Sequence, residues 1–247
     1  MTTSFPMYMR AELIDAHDTY YALIRRHLSA RNIDSPTYIS EPDDLYAAWQ
    51  SSDLFISQTC GMPYRLTLHG KVQLIGTPDF KLEGCKPGYY RSAMVVRRED
   101  AQQPLTDFQH RVFTYNADDS HSGYATAYEL AQKHGFWFEQ RVRSGGHRES
   151  ALAIAEGCAD IAAIDAMTWR LLQTYETFTD NLTVIEWTEP APGLPYITSL
   201  AHDAAAMFEA ISSAIDELPA EAREILHINS LVKISAERYL AVCNPPV

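Results

Sequence analysis

The stretch Thr114-Tyr-Asn-Ala-Asp-Asp-Ser-His-Ser-Gly-Tyr124 places two hydroxyls and a glycine where a strand pattern gives way to a helix pattern. At a helix N-terminus the first backbone N–H groups have no partner inside the helix, and the dipole favours negative charge. Ser120 and Ser122 add donors there, and Gly123 lets a ligand approach the backbone. The chemistry on offer is a cradle for an oxyanion. Serine serves equally well as a plain helix cap, so both readings stand at this point.

Three other stretches fall at similar junctions. Arg143-Ser-Gly-Gly-His-Arg-Glu-Ser150 follows a strand and opens a helix, which sets His147 at the carboxyl end of that strand. Ligands of open α/β sheets gather at such ends. An imidazole there can donate to an oxyanion and change its own charge; a surface histidine on a turn is the alternative. Ala159-Asp-Ile-Ala-Ala-Ile-Asp165 reads as a buried strand with Asp165 at its carboxyl end. A carboxylate suits an anion that keeps a proton to donate, as monoprotonated phosphate or phosphonate does. It would also cap the next helix. Ser57-Gln-Thr-Cys-Gly-Met-Pro-Tyr64 is a polar turn after a short buried strand. Cys60 would need an activating environment to act as a nucleophile, and no Cys-His-Asn arrangement accompanies it. A buried thiol, or pairing with Cys85, are the other readings.

Composition narrows the classes. Lys and Arg number 20 against 32 Asp and Glu, a net charge of −12, which argues against a nucleic-acid or anionic-membrane surface. Hydrophobic residues at 46% are ordinary for a globular protein. The four cysteines form no C-x-x-C pair, and the nine histidines form no H-E-x-x-H, so no metal site is expected. There is no G-x-G-x-x-G or P-loop, and no cofactor is expected. No apolar run reaches 18 residues, so no direct membrane insertion is expected. The first ten residues lack the basic and apolar regions of a signal peptide. The expectation is a cytoplasmic location for the chain as given, and a periplasmic one if a leader has been trimmed.

The elements that must hold these residues alternate. Strands are expected over 5–9, 54–57, 72–75, 89–97, 112–115, 136–142, 159–164, 182–187 and 196–200. Helices are expected over 11–31, 124–134, 148–156, 166–175, 201–217 and 230–242. That alternation implies an α/β fold with mainly parallel sheets flanked by helices. Two lobes are expected, one from 1–94 plus 196–247 and the other from 95–195. The crossings would be the strand over 89–97 and the segment Pro190-Ala-Pro-Gly-Leu-Pro195. Polar turns at several strand–helix junctions suit a ligand held in a cleft between lobes.

Taken together, these residues resemble the phosphate/phosphite/phosphonate-binding (PhnD-like) family of ABC-importer substrate-binding proteins, with the type II periplasmic-binding-protein fold. Asp119-Ser-His-Ser-Gly-Tyr124 matches the family's Ser-x-Ser-Gly loop. Ser144-Gly-Gly-His147 and the run Ala153 to Asp165 match next, and Gly88-Tyr-Tyr-Arg-Ser92 resembles the strand leaving the first lobe. The resemblance implies Ser120, His121, Ser122 and Gly123 around the oxyanion, with His147 and Asp165 closing the site. It adds Tyr90 from the crossing strand, and Tyr8 and Ser57 from the first lobe. His121 stands where a smaller residue is usual, and would add a second imidazole for a more highly charged anion. The implied function is solute binding, as an importer component or a cytoplasmic sensor. The implied partners are a small anionic ligand and an ABC-importer membrane component, with the chain a monomer or dimer and no nucleic acid involved. A cytoplasmic enzyme on the same fold, acting on a small anionic metabolite, is the alternative. A protein-interaction module using the acidic face is a third reading.

Overall fold

The computed structural model describes residues 1–246. The chain divides into two units. One comprises residues 1–89 and 192–242, the other residues 90–191 with residues 243–246.

In the first unit, five strands form a sheet in the order Thr2–Thr3, Leu54–Gln58, Tyr196–Ser199, Val72–Asp79, Ser230–Val232. Leu54–Gln58 and Tyr196–Ser199 are buried along their whole length, as strands covered on both faces must be. Helices Ile14–Ser29 and Ala204–Asp216 pack against each other in this unit. In the second of these helices Met207, Ala210, Ile211, Ala214 and Ile215 are buried, a spacing that lines one helical face. Asp203 starts that helix by accepting from the amides of Ala205 and Ala206, both at 3.0 Å. A separate apolar cluster joins Trp49, Leu54, Tyr64, Leu68, Val72, Ile197 and Tyr239.

The second unit has its own five-stranded sheet: Gln140–Arg143, Val112–Tyr115, Ile161–Asp165, Ser92–Arg97, Leu182–Trp187. Its interior follows the two-residue period of a strand. Met94 and Val96 enter one core with Phe108, Phe113 and Phe138. Ala93 and Val95 enter the other with Ile154, Trp169 and Leu172. The edge strand Gln140–Arg143 is exposed throughout and carries two arginines, which suits a solvent-facing edge.

Both sheets are mixed, a correction to the mainly parallel expectation. Val112–Tyr115 runs parallel to Gln140–Arg143 and to Ile161–Asp165. Ser92–Arg97 runs antiparallel to both its neighbours. Tyr196–Ser199 does the same in the first unit. These are the first long strands after each crossing, and neither enters its sheet through a helical crossover, the connection that imposes parallel pairing. The crossing positions also differ from 94/95 and 195/196. Ser92–Arg97 is a single strand paired along its length inside the second sheet, so the boundary falls ahead of it. At the crossings, Tyr89–Tyr90 and Ala191–Pro192 pair as a two-stranded ladder.

Several elements depart from expectation locally, among them the strand expected over 136–142, which is confined to Gln140–Arg143. The strand expected over 5–9 is replaced by Thr2–Thr3, which pairs with Leu54–Gln58. The helix expected over 230–242 is a strand, Ser230–Val232, followed by a short helix, Ala236–Leu240. A helix at Ala220–Leu226 was not expected at all.

Candidate functional site

The strand Val112–Tyr115 ends at Tyr115, and a short loop leads to Ser120. Ser120 is extended (φ −79°, ψ 125°) and its side chain accepts from the Gly123 amide at 3.0 Å. The residues after it do not enter an α-helix directly. Ala125 donates to the Ser120 carbonyl at 3.1 Å and Thr126 donates to that of His121, five residues back in each case. This is a wide π turn over His121–Ala125, a geometry common at functional sites. The helix Thr126–Lys133 continues from it, and Thr126 Oγ1 donates to the Ser122 carbonyl at 2.9 Å. Ser120, His121 and Ser122 are all buried.

His147 opens the helix His147–Ala155. The loop before it is tied to the end of the strand. Ser144 Oγ bonds to the Tyr115 carbonyl at 3.1 Å and pairs with Ser150 Oγ at 2.7 Å, while the Gly145 amide donates to the Asn116 carbonyl at 3.1 Å. The imidazole thus meets the π turn, with Ser122 Oγ 2.8 Å from His147 Nε2. Burial pushes this histidine down to about 4, with the Ala163 carbonyl pulling the other way, so the ring is neutral at pH 7. Gly123 fills a place no other residue could take without movement. A Cβ there would stand 1.9 Å from Asn116 Oδ1 and 3.2 Å from His147 Cε1.

Asp165 ends the central strand of the second sheet. Its Oδ1 accepts from the amides of Met167 at 2.8 Å and Thr168 at 2.9 Å, so it caps the helix Ala166–Tyr175. The Tyr90 ring lies 5.9 Å from that of His121. Two expected residues belong to the first unit. Ser57 is fully buried, its hydroxyl 2.7 Å from Ser4 Oγ and accepting from Trp49 Nε1 at 3.0 Å, which makes it an internal tie. Tyr8 packs edge-on against Phe80 at 5.2 Å. Neither Cys60 nor Cys85 is in a disulfide. Among the described residues no group of three or more His, Cys, Asp or Glu could hold a metal ion. No helix among them is long and apolar enough to cross a membrane.

Residues 72–239 match the family model for the phosphonate periplasmic substrate-binding protein of ABC transporters. The chain belongs to this family. No curated protein sequence matches it. Among solved structures it is similar to PhnD1 from Prochlorococcus marinus in complex with methylphosphonate, at 14% identity and a TM-score of 0.73, over 96% of this chain and 94% of that one. It is similar to a binding protein component of an ABC phosphonate transporter from Pseudomonas aeruginosa, at 14% identity and a TM-score of 0.69, over 97% of this chain and 82% of that one. A Xanthomonas citri protein bound to ATP is also similar, at 11% identity and a TM-score of 0.71, over 96% and 94%. At these identities the likeness establishes the fold: two-lobed, α/β, with mixed sheets.

Within this phosphonate-family chain the second unit brings together Ser120, His121, Ser122, Gly123 and His147, with Tyr90 beside His121. Sequence reasoning passed over Asn116. Its side-chain oxygen is buried without a hydrogen-bond partner and lies against Gly123. The available signal was its place, the first residue past the strand Val112–Tyr115 and seven residues before a glycine.

Proposed function

We propose that the chain is the solute-binding component of an ABC importer, and that it holds a small oxyanion of the phosphate, phosphite or phosphonate class at the π turn after Ser120. The observation that carries this reading is the turn itself. The amides of His121 and Ser122 precede the first intrahelical bond, and two buried hydroxyls flank them. Ser120 can cap and bind together. A hydroxyl accepts through its lone pairs and donates through its hydrogen, so the bond from Gly123 leaves the Ser120 hydrogen available to an oxyanion. His147 and Tyr90 supply the surrounding polar and aromatic wall. Family membership supports a periplasmic site of action and a membrane transporter as partner.

Calorimetric titration with phosphate, phosphite and methylphosphonate tests the reading. Saturable binding of at least one is expected, with the ligand recovered unchanged. The bound protein should melt higher by the amount mass action requires. Absence of heat with all three, or conversion of the ligand, would overturn it.

A further inference from the structure

An anion site ordinarily brings a cation to its ligand, and this one has no lysine or arginine within it. Residues 116–124 contain Asp118 and Asp119 but no basic residue other than His121. The arginines that flank the site are engaged with carboxylates. Arg148 holds Glu176 at 2.6 and 3.1 Å, and Arg143 lies 3.8 Å from Asp118. Asp165 adds a further carboxylate at the end of the neighbouring strand. Besides the backbone amides, the groups at the turn able to carry a countercharge are the imidazoles of His121 and His147.

The Ser122–His147 pair shows how. One hydrogen lies in the 2.8 Å bond between Ser122 Oγ and His147 Nε2. Nδ1 is out of water, and the backbone carbonyl acting on the ring is that of Ala163, at a looser contact than a hydrogen bond. Two lone pairs facing each other in a buried place would repel, so the ring hydrogen belongs on Nδ1. Nε2 is then an acceptor and Ser122 donates to it. In that arrangement Ser122 presents only lone pairs to an incoming oxyanion.

We propose that His147 takes up a proton as the oxyanion binds. Protonation at Nε2 reverses the bond, so that Nε2–H donates to Ser122 Oγ and the serine hydrogen turns to the ligand. One proton thus supplies both a donor and a positive charge. The charged and titratable groups on the elements packed here are His121 and Tyr124 on the π turn, Asp165 on the strand Ile161–Asp165, Tyr115 on Val112–Tyr115, Arg97 on Ser92–Arg97, Arg170 and Tyr175 on Ala166–Tyr175, Asp180 on the turn Thr177–Asn181, and Arg148 and Glu149 on the histidine's own helix. Of these, Arg97 is held by Asp160 and Asp100. Tyr90 stands behind His121. Burial holds the ring neutral beforehand. This inference rests on the oxyanion reading of the turn.

The test uses the full chain and methylphosphonate. Calorimetry at pH 7 in buffers of different ionisation enthalpy counts protons taken up, for the wild type and for His147→Gln, which keeps a donor toward Ser122. The wild type should take up close to one proton more than the variant, a difference that cancels any proton exchanged by the ligand itself. Ring nitrogen NMR of histidine-labelled wild type should show His147 passing from a neutral tautomer to the doubly protonated form at saturation. That arm stands even where the variant misfolds, the ring then being assigned through its proximity to Ser122. Binding with equal proton counts, or a neutral His147 in the saturated complex, would overturn proton uptake and leave the oxyanion reading intact. Absence of binding by phosphate, phosphite and methylphosphonate alike would overturn both.

Discussion

Ser120 and Ser122 carry the same side chain two positions apart, yet their surroundings differ. Ser120 Oγ is tied to the Gly123 amide, and Ser122 Oγ to the His147 ring. On the proposed oxyanion reading, removal of either hydroxyl should take away one bond to a charged ligand, about 1.5–3 kcal/mol, or at least about tenfold in affinity. Ser120→Ala should also lower stability by about 1 kcal/mol, because an N-cap is lost. Ser122→Ala leaves the turn capped, so its loss should fall mainly on affinity. Parallel calorimetry and urea melts read the split; an unchanged affinity in both would leave the serines as structural residues only. A second histidine, in the first unit, makes a separate stability prediction. His17 is buried against the Phe5 ring, 5.9 Å away, with neither ring nitrogen in a hydrogen bond. Burial pushes it down to about 4 from 6.5. Above pH 6.5 the histidine is neutral whether folded or unfolded. As pH falls toward 4 the unfolded chain takes the proton first, so stability is lost across that window and levels off below it. The full loss is about 3 kcal/mol. His17→Phe keeps the stacking and should flatten the wild-type slope between pH 6.5 and 4 by up to one proton. Equal slopes in urea melts across that range would show that His17 titrates normally.

At the scale of elements, strand ends were the legible part of this sequence. Short apolar runs such as Ile161 to Ile164, too brief for a helix and bounded by polar residues, read as buried strands, and the polar residue ending the run marks a mouth of the sheet. The π turn had no such mark. Its residues would pass equally for the first turn of an α-helix, because the extra residue per turn shows only in the bonds that Ala125 and Thr126 make to carbonyls five residues back. The run over 230–242 misled for a related reason. Ser230–Val232 is drawn into a strand by pairing with Val72–Asp79, a partner some 150 positions away. Asp165 shows two readings of one residue meeting in one place. It caps Ala166–Tyr175 through Oδ1, as the plainer reading had it, and it stands at the strand end where a ligand hydroxyl would be accepted. Asparagine is as good a cap as aspartate, and alanine is not. Asp165→Asn should therefore keep stability within a few tenths of a kcal/mol, whereas Asp165→Ala loses about 1 kcal/mol. If Asp165 also touches ligand, the Asn variant should bind dianions better than monoprotonated forms. Identical ligand preference in wild type and Asp165→Asn across pH would reduce Asp165 to a cap.

For the whole molecule, the division into two units was legible from the Pro/Gly-rich segment before Tyr196, but strand direction was not. Alternating β and α patterns say nothing of strands that enter a sheet without a helix in between, and Ser92–Arg97 and Tyr196–Ser199 are such strands. The two crossings lie close together: the Gly193 amide donates to the Gly88 carbonyl at 2.8 Å, and a Cβ on Gly193 would stand 2.7 Å from that oxygen. A fragment over 88–193 therefore starts and ends at one point and contains every strand of the second sheet. Both of that unit's apolar cores draw only on residues between Ala93 and Ile185. Its size is that of a typical single domain. The fragment should fold alone, with a cooperative urea transition and dispersed NMR signals. Residues 1–89 should not. Without residues 192–242 the first sheet loses Tyr196–Ser199 from between Leu54–Gln58 and Val72–Asp79, leaving buried backbone groups of both neighbours unpaired. It also loses the helix Ala204–Asp216 that packs on Ile14–Ser29. Circular dichroism and proteolysis of the two fragments read the asymmetry, and a noncooperative 88–193 alongside a folded 1–89 would reverse it.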